Sequence, residues 1–339
     1  MCYTCLKMNK NDDRKSAIKK LRTLVFSTKQ EAGAFRRTID EKFSCAILPN
    51  SVECSEQKFA EIPCDVLVPE IYSLNKIMIY IHGGCFVGGS KKAWRSFCAS
   101  LAAATSCRIV VPEFRLAPEN PHPAALEDLQ NVFRTVFTEE QVACSLNSEE
   151  EQALPEIIIA ADGSGASQAM ALILSLRERY RNCIKQVILF SPWLNFSEDS
   201  QIIKNKKLHD EILSSDCLRR SSEIYTNGEN LESPLVSPMS IPAESLKNFP
   251  PIFIQIGSRE ILLEDAKEFQ KIISESGGTC QLDVWDDMIF MFQMADEFLA
   301  ESHLAVERVG KLVRLKDEDS DEQTPSHATT LENRAKIDF

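Results

Sequence analysis

The amino-acid sequence predicts an α/β protein whose mostly parallel sheet is covered by helices on both faces. Short apolar runs alternate with helical stretches along most of the 339 residues, an order that is typical of parallel sheets. Runs such as Ile77–Ile81 and Ile157–Ala161 are apolar without interruption, as in strands that are buried on both faces. The length suits either one large domain with a cap or two small domains.

The elements follow one another in a regular order. The pattern of Arg14–Phe26 predicts a first, amphipathic helix, with Ile18, Leu21, Leu24 and Val25 on one apolar stripe. Seven later runs are predicted as strands, namely Cys64–Val68, Ile77–Ile81, Arg108–Pro112, Ile157–Ala161, Val187–Phe190, Ile252–Ile256 and Thr279–Trp285. Helices are predicted between them, over Ser96–Ala104, Ala124–Phe137, Ser167–Arg179 and Asp265–Ser276.

The same patterns divide the chain into segments. The polar and helical stretch 195–242 interrupts the alternation and is predicted to be an insertion over the sheet. The stretch 316–339 is acidic at its start and lacks apolar periodicity, which predicts a disordered tail. The predicted organisation is an N-terminal helical cap segment (1–50), a core (51–194 and 243–315), the cap insertion (195–242) and the tail (316–339).

Composition excludes several classes of partner. The net charge of −12 argues against nucleic acid or an anionic membrane as the main partner. No run approaches 18 apolar residues, so no membrane span is predicted. Twelve scattered cysteines and an N-terminus without an apolar signal region predict free thiols and a cytoplasmic location. The pair Cys2 and Cys5 is a weak metal or redox signal, and no metal or cofactor is expected. The composition is compatible with a homo-oligomer.

The segment 157–171 is similar to the strand, sharp turn and helix that carry the nucleophile of a serine hydrolase. The nucleophile elbow G-x-S-x-G needs small residues two places before and after the serine. Around Ala161-Asp162-Gly163-Ser164-Gly165 the small flanks surround Gly163, which has no side chain. Centred on Ser164 the frame loses both glycines, because the flanking residues are then Asp162 and Ala166. The turn is therefore predicted without its attacking atom.

A second motif, His82-Gly83-Gly84-Cys85-Phe86, directly follows a predicted strand. Small residues there let backbone N–H groups point into a cavity, as an oxyanion hole requires. Further motifs follow in order, namely Phe114–Glu119, Pro123–Asp128, Ser191–Trp193, Ser233–Pro238 and Gly257–Leu263. Together they resemble the hormone-sensitive-lipase-type family of α/β-hydrolases, which includes bacterial carboxylesterases. The resemblance covers residues 35–313 and implies the α/β-hydrolase fold.

The resemblance also assigns roles to single positions. It places the oxyanion loop on Gly83 and Gly84, with Cys85 in place of the usual third glycine and His82 in a structural role. The remaining positions fall on Ser164, whose N–H completes the oxyanion hole, on Glu260 as the triad acid, on Gly163 as the nucleophile and on Phe290 as the histidine. Two of the three triad members are therefore replaced.

Other residues could substitute for the missing pair. Ser164 is an alternative nucleophile, although a serine near a helix start is an ordinary capping residue. The histidines His122, His209, His303 and His327 all lie outside the segment that carries the family's histidine.

Three functions remain open from the sequence. The first is a non-catalytic descendant of a carboxylesterase that binds a small apolar acyl or ester-like molecule, or a protein partner. The second is an active carboxylic-ester hydrolase with an altered site, which uses Ser164 or a water positioned by Glu260. The third is a scaffold that interacts through its acidic tail.

Overall fold

The computed structural model describes residues 10–27, 29–44, 48–147, 154–197, 200, 202, 210–226 and 229–321. Its centre is an eight-stranded sheet with the order β1-β2-β4-β3-β5-β6-β7-β8. The strands are β1 (Val52–Phe59), β2 (Ile62–Pro69), β3 (Lys76–Ile81), β4 (Arg108–Pro112), β5 (Glu156–Asp162), β6 (Ile184–Phe190), β7 (Ile252–Gly257) and β8 (Cys280–Trp285). The last six strands pair in parallel, whereas β1–β2 and β2–β4 pair antiparallel. The predicted α/β class and mostly parallel sheet are confirmed.

All seven predicted strands are present, and β1 was missed. Its sequence is mostly polar, and most of its side chains face solvent at the edge of the sheet. An edge strand of this kind lacks the apolar run that marks a buried strand, because only one side of it is paired. The central strands β3, β5 and β7 are buried along nearly their whole length, which explains why they could be predicted.

The helices cover both faces of the sheet and its carboxyl edge. They are α1 (Lys10–Leu21), α2 (Ala32–Phe43), α3 (Lys91–Thr105), α4 (Ala124–Asn147), α5 (Gly163–Ser175), α6 (Glu178–Arg181), α7 (Ser215–Thr226), α8 (Ala243–Leu246), α9 (Leu263–Glu275) and α10 (Ala300–Asp321). Short 3₁₀ turns lie at Arg22–Leu24, Pro238–Ser240 and Phe292–Met294. The predicted helix Ser167–Arg179 in fact begins at Gly163, directly after β5. The strand therefore turns into the helix within one residue, as a nucleophile elbow requires.

The N-terminal segment lies against the stretch that was predicted to be the cap insertion. Arg14 forms a 2.5 Å ion pair with Glu211, and the guanidinium of Arg22 donates to the backbone carbonyl of the same residue at 2.8 Å. Arg220 of α7 donates to the carbonyl of Ser27 at 2.7 Å and lies 4.6 Å over the ring of Phe26. These contacts hold the turn after α1 between α7 and the core.

The C-terminal region differs from the prediction. Helix α10 continues to Asp321, so residues 316–321 are helical where a disordered tail was predicted. The hydrophobic stripe of α10 packs on α3 before that point, and the helix extends beyond the packed part. Residues 322–339 lie outside the described residues. Among the described helices, none is long and apolar enough to cross a membrane.

Within the described ranges the nine cysteines are free, and no group of three or more histidine, cysteine or acidic residues could hold a metal ion. Cys2 and Cys5 lie outside those ranges, so the prediction about them stays a prediction.

Candidate active site

Gly163 occupies the sharp turn between β5 and α5 and has a φ of +48°. A residue with a side chain adopts this left-handed conformation only at a cost, whereas glycine adopts it freely. A Cβ atom added to Gly163 would lie 3.4 Å from Cζ of Phe290. The predicted nucleophile and histidine positions therefore face each other across the site, and neither carries a reactive atom.

The buried carboxylate of Asp162 is hydrogen-bonded to the predicted oxyanion loop. Its Oδ1 accepts hydrogen bonds from Tyr80 Oη at 2.9 Å, Trp94 Nε1 at 2.7 Å and the backbone N–H of Gly83 at 3.0 Å. Burial raises the pKa of Asp162 to about 7, against the lowering effect of its three donors. A Cβ on Gly83 would collide with Oδ2 of Asp162, so only glycine fits at this position.

This pairing corrects one predicted role. The N–H of Gly83 was expected to bind the oxyanion, but the structure gives it to Asp162. The N–H groups of Gly84 and Cys85 have no hydrogen-bond partner in the described part of the chain. Ser164 lies in the first turn of α5, where backbone N–H groups have no partner within the helix. Gly84, Cys85 and Ser164 all line the same cavity.

The side chain of Ser164 has a structural partner. Its Oγ accepts a hydrogen bond from the backbone N–H of Phe86 at 3.1 Å, and only 4% of the residue is exposed. Phe86 has a φ of +63°, an uncommon conformation for an aromatic residue, and this hydrogen bond helps to hold it. No described histidine lines the cavity beside Ser164. Within the described ranges, the hydroxyl therefore has no imidazole beside it.

The predicted acid, Glu260, is buried and held by two donors. Its Oε1 accepts from Ser191 Oγ at 2.8 Å and from the backbone N–H of Gly257 at 2.6 Å, whereas Oε2 has no partner among the described residues. Burial raises its pKa well above the ordinary value, so the protonated form is favoured. Arg259 does not offset this effect, because its side chain is exposed and pairs with Asp287 at 2.9 Å.

Ser191 joins the acid to the segment that carries Phe290. Its Oγ donates to Glu260 and accepts from the backbone N–H of Met291 at 3.1 Å. Met291 has a φ of +52°, a conformation that favours glycine. The roles of Ser191 and Asp162 were not predicted, although each lies within one of the sequence motifs quoted above.

The described histidines have other environments. His82 is stacked on Phe114 with ring centroids 4.3 Å apart and is tilted against Trp94 at 5.1 Å. Burial lowers its pKa to about 4, so it is a neutral packing residue. His122 contacts the hydroxyl of Tyr225 at 3.2 Å, and His303 lies in a separate groove. His209 and His327 lie outside the described residues.

The space at the elbow is very small. The cavity has a volume of about 10 Å³, which is barely room for one water molecule. Its lining includes Leu24 from the N-terminal segment, Leu213 and Leu218 from the predicted cap insertion, and Phe290.

The comparisons with known proteins agree with this geometry. Residues 78–294 match the family described as the α/β hydrolase fold. The chain belongs to this family. The match spans the loop 82–86, the turn at Gly163 and the segment of Phe290.

Relatives within this α/β-hydrolase family bear enzyme names. The chain is 27% identical to an acetyl-hydrolase from Streptomyces hygroscopicus over 241 residues, which are 70% of this chain and 75% of the relative. It is 28% identical to an esterase from Acinetobacter venetianus over 248 residues, 73% of this chain and 77% of the relative.

A solved structure supports the fold of this α/β-hydrolase-family chain. An esterase of the bacterial hormone-sensitive lipase family superimposes with a TM-score of 0.77 at 23% identity, covering 91% of this chain and 99% of that one. The predicted resemblance to the hormone-sensitive-lipase type and the predicted α/β-hydrolase fold are confirmed.

Proposed function

We propose that this α/β-hydrolase-family protein is a non-catalytic member that binds molecules rather than hydrolysing esters. The observation that carries the proposal is the pairing of Gly163 with Phe290, whose ring lies 3.4 Å from the point where a nucleophile's Cβ would be. Serine-esterase chemistry needs a hydroxyl at the first position and an imidazole at the second. In this chain the first position is Gly163, which carries only a hydrogen atom, and the second is Phe290, which carries a hydrocarbon ring.

The remaining groups support binding of a carbonyl oxygen without cleavage. Gly84, Cys85 and Ser164 line the cavity and would supply its N–H donors, and such donors stabilise a developing oxyanion only when a nucleophile attacks. Glu260 is not among the residues that line the cavity, and its Oε1 is held by Ser191 and by the backbone N–H of Gly257. An active site that uses Ser164, or a water positioned by Glu260, is therefore disfavoured.

The ligand that fits these donors is a small apolar acyl or ester-like molecule. Entry requires Leu24 and Leu218 to move, because they fill the cavity in the conformation described. The partner-binding and scaffold alternatives need no such movement. Free cysteines across the described residues support a reducing, cytoplasmic location.

The test of the catalytic half of the proposal is labelling with a fluorophosphonate, together with hydrolysis of p-nitrophenyl acetate and butyrate. The unaltered protein should remain unlabelled and show only trace turnover, since residual catalysis by binding and oxyanion donors alone is about 10³–10⁴ over water. Stoichiometric labelling that disappears in Ser164→Ala would overturn the proposal in favour of the altered enzyme.

The binding half has a separate test. The probe 2-heptanone carries a carbonyl and a short alkyl chain but no scissile bond. It should shift the methyl NMR signals of Leu24, which also lines the cavity, at millimolar concentration, and Leu218→Trp should abolish the effect by filling the cavity. Leu304→Trp is the matched control, because Leu304 is 54% exposed on α10. No shift in the unaltered protein would favour the partner-binding or scaffold function.

A further inference from the structure

A groove of about 690 Å³ lies away from the elbow, between α3, the start of α10 and the N-terminal segment. None of its lining residues lines the elbow cavity. Small side chains such as Ser96, Ser100 and Ala104 form its α3 wall, Val306 belongs to the α10 wall, and Phe43 lies at the end formed by α2. The volume falls in the range of small-molecule sites.

The side chain of Gln293 lines this groove and belongs to a buried amide pair with Gln255. Nε2 of Gln255 donates to Asp283 Oδ2 at 3.1 Å and to the carbonyl of Ala305 at 3.2 Å. Both partners are acceptors only, so the amide orientation of Gln255 is fixed. Its Oε1 therefore accepts, and Nε2 of Gln293 donates to it at 3.1 Å.

This chain of hydrogen bonds determines which atom of Gln293 is left over. Oε1 of Gln293 has no hydrogen-bond partner among the described residues, although Gln293 is only 1% exposed. A buried acceptor without a partner is unfavourable, and a donor that approached from the groove would satisfy it. Gln293 thus combines a place in the groove lining with an acceptor that has no partner and an orientation that the fold fixes.

The charged residues that line the groove indicate which kind of hydrogen-bond donor a ligand would carry. Asp296 and Glu307 line the groove, and neither takes part in an ion pair with any other described side chain. Two lysines, Lys20 and Lys42, also line the groove, so that they are outnumbered by the three carboxylates of Asp296, Glu297 and Glu307. Lys20 is already paired with Glu297 at 3.1 Å. An ammonium group would meet both the free carboxylates and the acceptor oxygen, and an apolar body would pack on the small residues of α3.

We propose that the groove is a second binding site, which takes a small molecule with an apolar body and a primary amine. The N–H group of the amine donates to Oε1 of Gln293, and the apolar body lies along α3 between Phe43 and Val306. The site is independent of the elbow and of any hydrolysis there.

The test uses a pair of probes with equal charge. One is 4-phenylbutylamine, and the other is its N,N,N-trimethyl derivative, which keeps the charge and loses every N–H donor. Titration is followed by NMR of ¹³C-methyl methionine, with Met294 as the reporter in the groove and Met170 in α5 as the internal control. The amine should shift Met294 but not Met170 and should bind about five- to tenfold more tightly than the quaternary probe.

Two variants test the acceptor oxygen of Gln293 and the volume of the groove independently. Gln293→Met removes the oxygen and should make the two affinities equal, whereas Ser100→Trp fills the groove and should abolish binding of both probes. Ser145→Trp on the exposed face of α4 is the matched control and should bind as the unaltered protein does. Thermal melts report whether each variant is folded.

Three results would overturn the proposal. They are no shift of Met294 at 10 mM amine, about equal affinity for the two probes, or unchanged binding in a folded Ser100→Trp variant. Persistence of the amine preference in Gln293→Met would equally exclude the assigned acceptor.

Discussion

At position 163 the backbone forms a sharp left-handed turn between β5 and α5, and the residue there is glycine. The φ of +48° is the conformation that a serine would have to be forced into, and glycine adopts it without strain. Phe290 fills part of the space that the two missing side chains would share. The two substitutions therefore fit each other, because one removes strain and the other adds apolar packing.

Gly163→Ser should lower the free energy of unfolding by about 1–3 kcal/mol, because a side chain enters a left-handed conformation. Urea denaturation checks this as a fall in the midpoint at constant slope. Gly277→Ser is the matched control, since Gly277 has a φ of +81° and an added Cβ would meet nothing within 4 Å. That variant isolates the backbone cost of about 1–2 kcal/mol. An unchanged midpoint for Gly163→Ser would mean that the turn is not strained.

The buried Glu260 should make stability depend on pH. Its pKa is raised in the folded protein above the ordinary value of 4.5. Above pH 4.5 the unfolded chain therefore releases a proton that the folded chain keeps. Stability is then lost as pH rises from about 4.5 toward the folded pKa, by at most about 1.4 kcal/mol per pH unit.

Glu260→Gln lacks this term, so its free energy of unfolding should rise relative to that of the unaltered protein between pH 5 and pH 7. Urea melts across that range measure the difference. Glu264→Gln, at an exposed residue of α9 that pairs with Lys267, should follow the pH dependence of the unaltered protein. Parallel curves for Glu260→Gln and the unaltered protein would show that Glu260 titrates normally.

Among the secondary-structure elements, the buried strands could be predicted from the sequence, whereas the edge strand and the position of the N-terminal segment could not. The strands β3, β5 and β7 carry unbroken apolar runs because the sheet is covered on both faces. The edge strand β1 carries no such signal. The position of the N-terminal segment depends on contacts such as Arg14 with Glu211, which are 197 residues apart. Periodicity is local and cannot predict a pairing at that separation.

Arg220 should control how tightly the N-terminal segment is held over the elbow. It donates to the carbonyls of Ser27 and Gln30 and lies over the ring of Phe26. Contacts of this kind contribute about 1 kcal/mol or somewhat more. Arg220→Ala should therefore speed amide hydrogen exchange in residues 22–27 by about five- to tenfold.

The neighbouring Arg219 provides the control for this experiment. Its ion pairs with Asp216 and Glu223 lie within its own helix. Arg219→Ala should therefore leave exchange in residues 22–27 unchanged. Equal exchange in the two variants would show that Arg220 does not help to hold the segment.

For the whole molecule, the sequence predicted the fold, whereas the roles of its candidate site residues stay predictions. The structure brings Gly163 and Phe290 to one cavity and places Glu260 in a hydrogen bond with Ser191. The sequence could not predict that the N–H of Gly83 donates to Asp162, or that the cavity has a volume of only about 10 Å³. Both depend on side chains from distant segments that meet only in the fold, and a resemblance to active esterases carries no information about them.

The remaining prediction is a rescue of hydrolysis. Gly163→Ser alone should stay nearly inactive, because a hydroxyl without a base is a poor nucleophile, and Phe290→His alone has no hydroxyl to activate. Together they restore a serine–histidine pair backed by Glu260, beside the N–H groups of Gly84, Cys85 and Ser164. The gain in kcat/KM on p-nitrophenyl acetate should far exceed the product of the single effects, because triad members act as a unit.

Access should limit this rescue, because Leu218 fills the cavity from the cap. Adding Leu218→Ala to the double variant should raise kcat/KM further, whereas adding Leu304→Ala on the exposed face of α10 should not. Fluorophosphonate labelling at position 163 of the folded double variant distinguishes two causes of low activity. One is a serine that is not nucleophilic, and the other is a blocked entrance to the cavity. A folded triple variant that is neither labelled nor active would show that the oxyanion donors no longer converge, and the binding of a carbonyl at the elbow would then have to be abandoned.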